Sequence, residues 1–188
     1  MKVYMFLYDN FADFEITQVT LLLKEYPLVT VGFEKGLVKS YGGLKVHADI
    51  DLNSLDTNDV EIFIIPGGTP PKFIEDSNYS EKITKLNSIL NNLNSKKKLI
   101  AAICGGPIFL TNSGILNGKR CTGSNDENEK PFYSNTIYTD ADVEITDNII
   151  TAKGQAFTEF AVEIAKKVNI IKSDDEAIET INWLKNNK

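Results

Sequence analysis

The chain has 188 residues, 42% of them hydrophobic and 24% charged, which suits a globular protein whose core needs no cross-links. A formal net charge of −6 argues against a general nucleic-acid binder, which presents a basic face. Cys104 and Cys121 are too few for a disulfide framework and point to a reducing, cytoplasmic setting; with His47 as the one histidine, they offer no metal-ligand spacing.

Residues 3–8 form a short apolar run with Asp9 and Asp13 close behind, which reads as a first core strand rather than a signal peptide. No run reaches transmembrane length, so no membrane partner is expected. Residues 11–26 predict an amphipathic helix, with Ile16, Val19, Leu22 and Leu23 at helical spacing and Pro27 as the stop. Residues 28–33 are a second apolar strand, and 36–47, with Gly42-Gly43 between alternating runs, suggest a hairpin-like excursion. Residues 60–65 form a third strand that ends at Pro66-Gly67-Gly68. A polar-faced helix over 79–93 follows, with Ile83, Leu86, Ile89, Leu90 and Leu93 inside.

Residues 98–103 are the next strand, delivering Cys104 to Gly105-Gly106-Pro107 and then to a helix ending near Ser113-Gly114. Residues 125–134 read as the polar, exposed part of a long connection. Two β runs, 143–145 and 148–152, meet at an Asp147-Asn148 turn, and 159–168 and 174–184 read as helices. The last helix is a candidate lid or dimer contact, set against an ordinary packed terminal helix. Strands alternating with helices imply βαβ units and a mostly parallel sheet covered on both faces, an α/β fold in one domain over 1–188.

A strand, a tight small-residue corner and a helix, with a thiol at the corner, is the pattern of a nucleophile elbow. The plain alternative is a buried cysteine ending a core strand. An adjoining helix N-terminus is expected to lower the thiol pKa and favour thiolate. Ligands of doubly wound sheets sit beyond the carboxyl ends of the strands. Residues 9–15, Gly67-Gly68 and Cys104 all fall at such ends and can converge on one crevice.

Asp13-Phe14-Glu15, Ile65-Pro66-Gly67-Gly68 and Ala101-Ala102-Ile103-Cys104-Gly105-Gly106-Pro107, in this order, resemble the ThiJ/PfpI superfamily. That group includes deglycases, PfpI-type intracellular proteases, glyoxalase III-type enzymes and isocyanide hydratases, and is related in fold to class I glutamine amidotransferases. The likeness extends through Gly114-Ile115-Leu116-Asn117-Gly118-Lys119-Arg120 and Thr151-Ala152-Lys153-Gly154 to Thr158-Glu159-Phe160-Ala161. It implies a flavodoxin-like three-layer sandwich, a homodimer, a small-molecule substrate and no cofactor. It also implies that Cys104 is the nucleophile or oxidisable thiol, that Glu15 hydrogen-bonds it, and that the Gly68 and Gly105 N–H groups form an oxyanion-hole-like pocket. Asp13, Gly67 and Ser124 are candidate pocket residues.

The chain departs from that pattern in its histidines. Proteolytic members carry one directly after the cysteine, where Gly105 stands here. Deglycase-like members carry one further on, where Cys121-Thr122-Gly123-Ser124-Asn125 puts Ser124. His47 lies on the hairpin excursion and reads as a surface or strand histidine. A protease is therefore not expected. The resemblance implies a cysteine-dependent small-molecule enzyme, glyoxalase III- or deglycase-like or a related hydrolase or hydratase, in which Glu15 keeps its proton beside the thiol. The alternative is a redox sensor or stress-response protein that works by oxidation of Cys104, with Cys121 as a core residue. A small-molecule binding domain is a third class.

Overall fold

The computed structural model describes residues 2–124 and 126–185; Asn125, at the start of the expected polar connection, lies outside them. The strands are β1 (Val3–Leu7), β2 (Leu28–Gly32), β3 (Gly36–Lys39), β4 (Lys45–Ala48), β5 (Ile50–Asp51), β6 (Ile62–Ile65), β7 (Leu99–Ile103), β8 (Arg120–Cys121), β9 (Ile137–Tyr138), β10 (Val143–Thr146) and β11 (Ile149–Ala152). The helices are α1 (Thr17–Leu22), α2 (Pro71–Ile74), α3 (Ser80–Ser95), α4 (Pro107–Asn112), α5 (Phe157–Lys167) and α6 (Asp174–Lys185).

A seven-stranded sheet runs in the order β10-β11-β7-β6-β1-β2-β5. All its pairings are parallel except β10 with β11, which close a hairpin around Asp147 at φ 56°. β1, β6 and β11 are buried along their whole length and β7 nearly so, as apolar runs covered on both faces must be. Without the edge strands β5 and β10, the order β2-β1-β6-β7-β11 is that of a flavodoxin-like sheet. Its switch point lies between β1 and β6. α1, α5 and α6 pack together, and α2, α3 and α4 form a second group; the two sandwich the sheet. Phe109 of α4 sits edge-on to Phe6 and Tyr8 at 5.7 and 5.2 Å between centroids, anchoring α4 beneath the carboxyl end of β1.

The helix expected over residues 11–26 is broken. A 3-10 turn, Asp13–Glu15, precedes a six-residue α1. The break follows from where this segment's polar groups go. Ala12 N donates to Gly67 O at 2.9 Å, Glu15 Oε2 accepts from Gly67 N, and Asp13 Oδ2 accepts from Ser40 Oγ. The segment is thereby drawn across the strand ends instead of coiling on itself. α2 and the two-residue strands β5, β8 and β9 are too short for a periodic pattern to reveal. Within the expected exposed connection, Lys130–Tyr133 forms a 3-10 turn that buries Tyr133 against Tyr138. Among the described residues no helix is long and apolar enough to cross a membrane.

Candidate functional site

The ends of β1, β6 and β7 bring Glu15, Gly67 and Cys104 together. β1 runs on through Tyr8, the chain turns at Asn10 (φ 64°), and the 3-10 turn carries Glu15 back over the end of β6. β6 leads into Pro66-Gly67-Gly68, and Gly67 N donates to Glu15 Oε2 at 2.7 Å. β7 ends at Ile103, after which Cys104 takes φ 59°, a left-handed conformation that strains any residue with a side chain. The corner is held from both sides: Cys104 N donates to Ala152 O at 2.8 Å, and Ser124 N donates to Cys104 O at 2.7 Å.

Glu15 is buried at 1% exposure, and its carboxyl shares a hydrogen bond with the partly exposed Cys104 thiol. Two glycines let the backbone close on this pair. A Cβ at Gly67 would stand 2.4 Å from Glu15 Oε2 and 2.6 Å from Cys104 Cβ; one at Gly154 would stand 3.0 Å from both the sulfur and Glu15 Oε1. Tyr8, fully buried beside the pair, donates to Pro66 O at 2.9 Å and fixes the loop that presents Gly67.

The electrostatics correct one expectation. Burial lifts Glu15 to about 7, against the pull of its bonds to Cys104 and Gly67. Burial and the neighbouring carboxylate push the thiol up to about 12, opposed by the Gly105 N–H. The anticipated lowering by the helix N-terminus is outweighed, because α4 has only six residues while the carboxyl touches the thiol. The pair does share protons, as two acids in one dry site must. The resting sulfur is a thiol, and Glu15 is the group that ionises near neutrality.

The other expected residues fall as follows. Gly105 lies against the Gly68 carbonyl, and neither Gly68 N–H nor Gly105 N–H has a backbone acceptor among the described residues. Asp13, a candidate pocket residue, is the first residue of the 3-10 turn with Ala12 in the cap position, and its carboxylate ties down Ser40. Ser124 contributes backbone to the corner, and its hydroxyl accepts from Asp126 N. His47 is exposed on β4, opposite Leu37. Cys121 is fully buried in β8. α6 runs back along α5, with Lys166–Asp174 and Lys185–Glu159 ion pairs at its two ends. Residue periodicity does not single out Tyr8, Gly154 or the buried Tyr133; the polar tip of Tyr8 at the end of an apolar strand was the one local sign.

Residues 1–167 match the DJ-1/PfpI family model. A Bacillus subtilis protein named as the uncharacterized protease YoaZ is 30% identical, covering 100% of this chain and 90% of its own length. A Thermococcus kodakarensis protein named as a deglycase is 24% identical over 81% of this chain and 90% of its own. Among solved structures, a DJ-1 superfamily protein from Agrobacterium tumefaciens superposes with TM-score 0.82 at 25% identity, covering all of both chains. A thiJ/pfpI family protein from Bacillus anthracis superposes with TM-score 0.80 at 26% identity, covering 100% of this chain and 91% of that one.

Proposed function

This chain belongs to the DJ-1/PfpI family, and from that premise we propose that it is a cysteine-dependent enzyme acting on small carbonyl compounds. The observation that carries the reading is the buried Glu15 carboxyl bonded to the Cys104 thiol at a strained corner. A carboxyl near 7 is matched to proton transfer at neutral pH. Glu15 accepts the thiol proton as the sulfur adds to the carbonyl carbon and the carbonyl π pair moves to oxygen. The same proton then passes from Glu15 to that oxygen, so a hemithioacetal forms with no net gain or loss of protons. The Gly68 and Gly105 N–H groups donate to the oxygen as it becomes anionic, each supplying roughly 3 kcal/mol.

The relatives named deglycase support this class of substrate. The names that include protease do not extend as readily, because the position after Cys104 is a glycine and His47 is exposed on a hairpin. Consumption of methylglyoxal tests the reading. Turnover is expected in the native chain and absent in Cys104→Ala. Conversion of Cys104 to sulfinate by mild peroxide, with no turnover of aldehydes, amides or isocyanides, would replace the enzyme with a redox sensor.

A further inference from the structure

Cys104 keeps its left-handed φ of 59° only while its neighbours hold it there, and its carbonyl is held by Ser124 N at 2.7 Å. Ser124 itself belongs to no strand. After β8 ends at Cys121, residues 122–124 leave regular structure and side-chain hydroxyls take over the stitching. Thr122 Oγ1 donates to Ala141 O at 2.7 Å, and Thr151 Oγ1 accepts from Thr122 N at 3.0 Å. The last stitch is Tyr138, whose hydroxyl shares its proton between Gly123 O at 3.1 Å and Ser124 O at 3.3 Å.

The ring of Tyr138 is fixed in turn. Tyr133 stands against it at 5.0 Å between centroids and 68° between planes. Tyr133 is 5% exposed, and its hydroxyl has no hydrogen-bond partner among the described residues. That hydroxyl lies close against Gly123, where a Cβ would collide with it and stand 2.9 Å from Cys104 O. Tyr133 therefore fills the space beside Gly123, while Tyr138 does the bonding.

We propose that Tyr138 is a positioning residue for the nucleophile: its hydroxyl anchors the Gly123–Ser124 segment, and that segment holds Cys104 in the conformation that presents the thiol to Glu15. The inference rests on the Cys104–Glu15 reading and deepens it by naming what keeps the thiol in place. Without the hydroxyl the segment shifts, the strained corner relaxes, and the sulfur withdraws from Glu15 and from its dry surroundings. Burial and the carboxylate, the two causes that push the thiol up, both weaken, so more thiolate is present at a given pH. Turnover falls while the sulfur becomes more reactive.

The test measures iodoacetamide labelling at pH 8 at the Cys104 and Cys121 peptides by mass spectrometry, alongside methylglyoxal turnover. In Tyr138→Phe, Cys104 labelling is expected to rise by roughly tenfold or more as the thiol returns toward its ordinary range. Turnover should drop by roughly tenfold with KM within about twofold. The buried Cys121 should label no faster, whereas a general opening of the fold would expose it as well. Gly123→Ala drives a methyl group against Tyr133 and Cys104 O and should speed Cys104 labelling in the same way. Thr139→Val removes a neighbouring hydroxyl that bonds Cys121 O and Glu144 instead, and should leave Cys104 labelling unchanged. Cys104 labelling that stays at the native rate in both Tyr138→Phe and Gly123→Ala, that rises equally in Thr139→Val, or that rises together with Cys121 overturns the positioning role and leaves the enzyme reading standing. A native chain that consumes no methylglyoxal, with Tyr138→Phe still speeding the labelling of Cys104 alone, overturns the enzyme reading and leaves Tyr138 as the residue that holds the thiol.

Discussion

Glu15→Gln probes the most consequential number in the structure, the rise of a buried carboxyl from 4.5 to about 7. Below pH 4.5 folded and unfolded chains both hold this proton. As pH rises toward 7 the unfolded chain loses it while the folded chain keeps it, so the native state binds more protons and stability falls. At 1.36 kcal/mol per pH unit, the folded state is disfavoured by about 0.8 kcal/mol at pH 5 and by about 3.3 kcal/mol at pH 8. Glutamine keeps an acceptor for Gly67 N–H and cannot ionise. In urea titrations Glu15→Gln should lie within about 1 kcal/mol of the native chain at pH 5. By pH 8 the variant should gain about 2.5 kcal/mol relative to the native chain. If the gap between the two proteins is the same at both values, the carboxyl ionises in its ordinary range. It would then be neither dry nor coupled to the thiol, and the proton-transfer role would lose its basis.

Gly154→Ala places a methyl group 3.0 Å from both the sulfur and Glu15 Oε1; thermal melts should show a loss of about 1–3 kcal/mol, and carbonyl turnover should drop more than about tenfold as the pair is pushed apart. Tyr8→Phe removes the donor to the Pro66 carbonyl, and urea titration should show a loss of about 1–3 kcal/mol with slower turnover as the Gly67 loop loosens. Phe109→Ala empties a fully buried position edge-on to Phe6 and Tyr8, and denaturation should show a loss of about 3–5 kcal/mol. Turnover should rise with pH through about 7 as Glu15 becomes able to accept the thiol proton; a rate flat from pH 5 to 8 would remove Glu15 as the base.

The alternation of apolar strands with helices was legible because each central strand is an uninterrupted hydrophobic run, from Val3–Leu7 to Ile149–Ala152. Those runs mark burial on both faces, and burial on both faces demands helices on either side. The ends of the strands were legible too, since Pro66-Gly67-Gly68 and Gly105-Gly106-Pro107 break any regular element. The broken first helix was not. Ile16, Val19, Leu22 and Leu23 keep helical spacing, and only the carboxylates of Asp13 and Glu15, bonded to Ser40 and Gly67, show why the chain stays uncoiled before Thr17. Nor was the turn over Lys130–Tyr133, which lies in a segment that reads as a polar, exposed connection yet buries Tyr133 against Tyr138.

Residue order by itself therefore determined the layered architecture and the presence of an acid and a thiol at neighbouring strand ends. Hydrophobic runs and turn residues act locally, and local rules survive translation into a string. The protonation of Cys104 and Glu15 and the closeness enforced by Gly67 and Gly154 were decided by tertiary structure alone. Each depends on how much water is excluded and which charges stand within a few ångströms, quantities that arise only when distant segments are packed together.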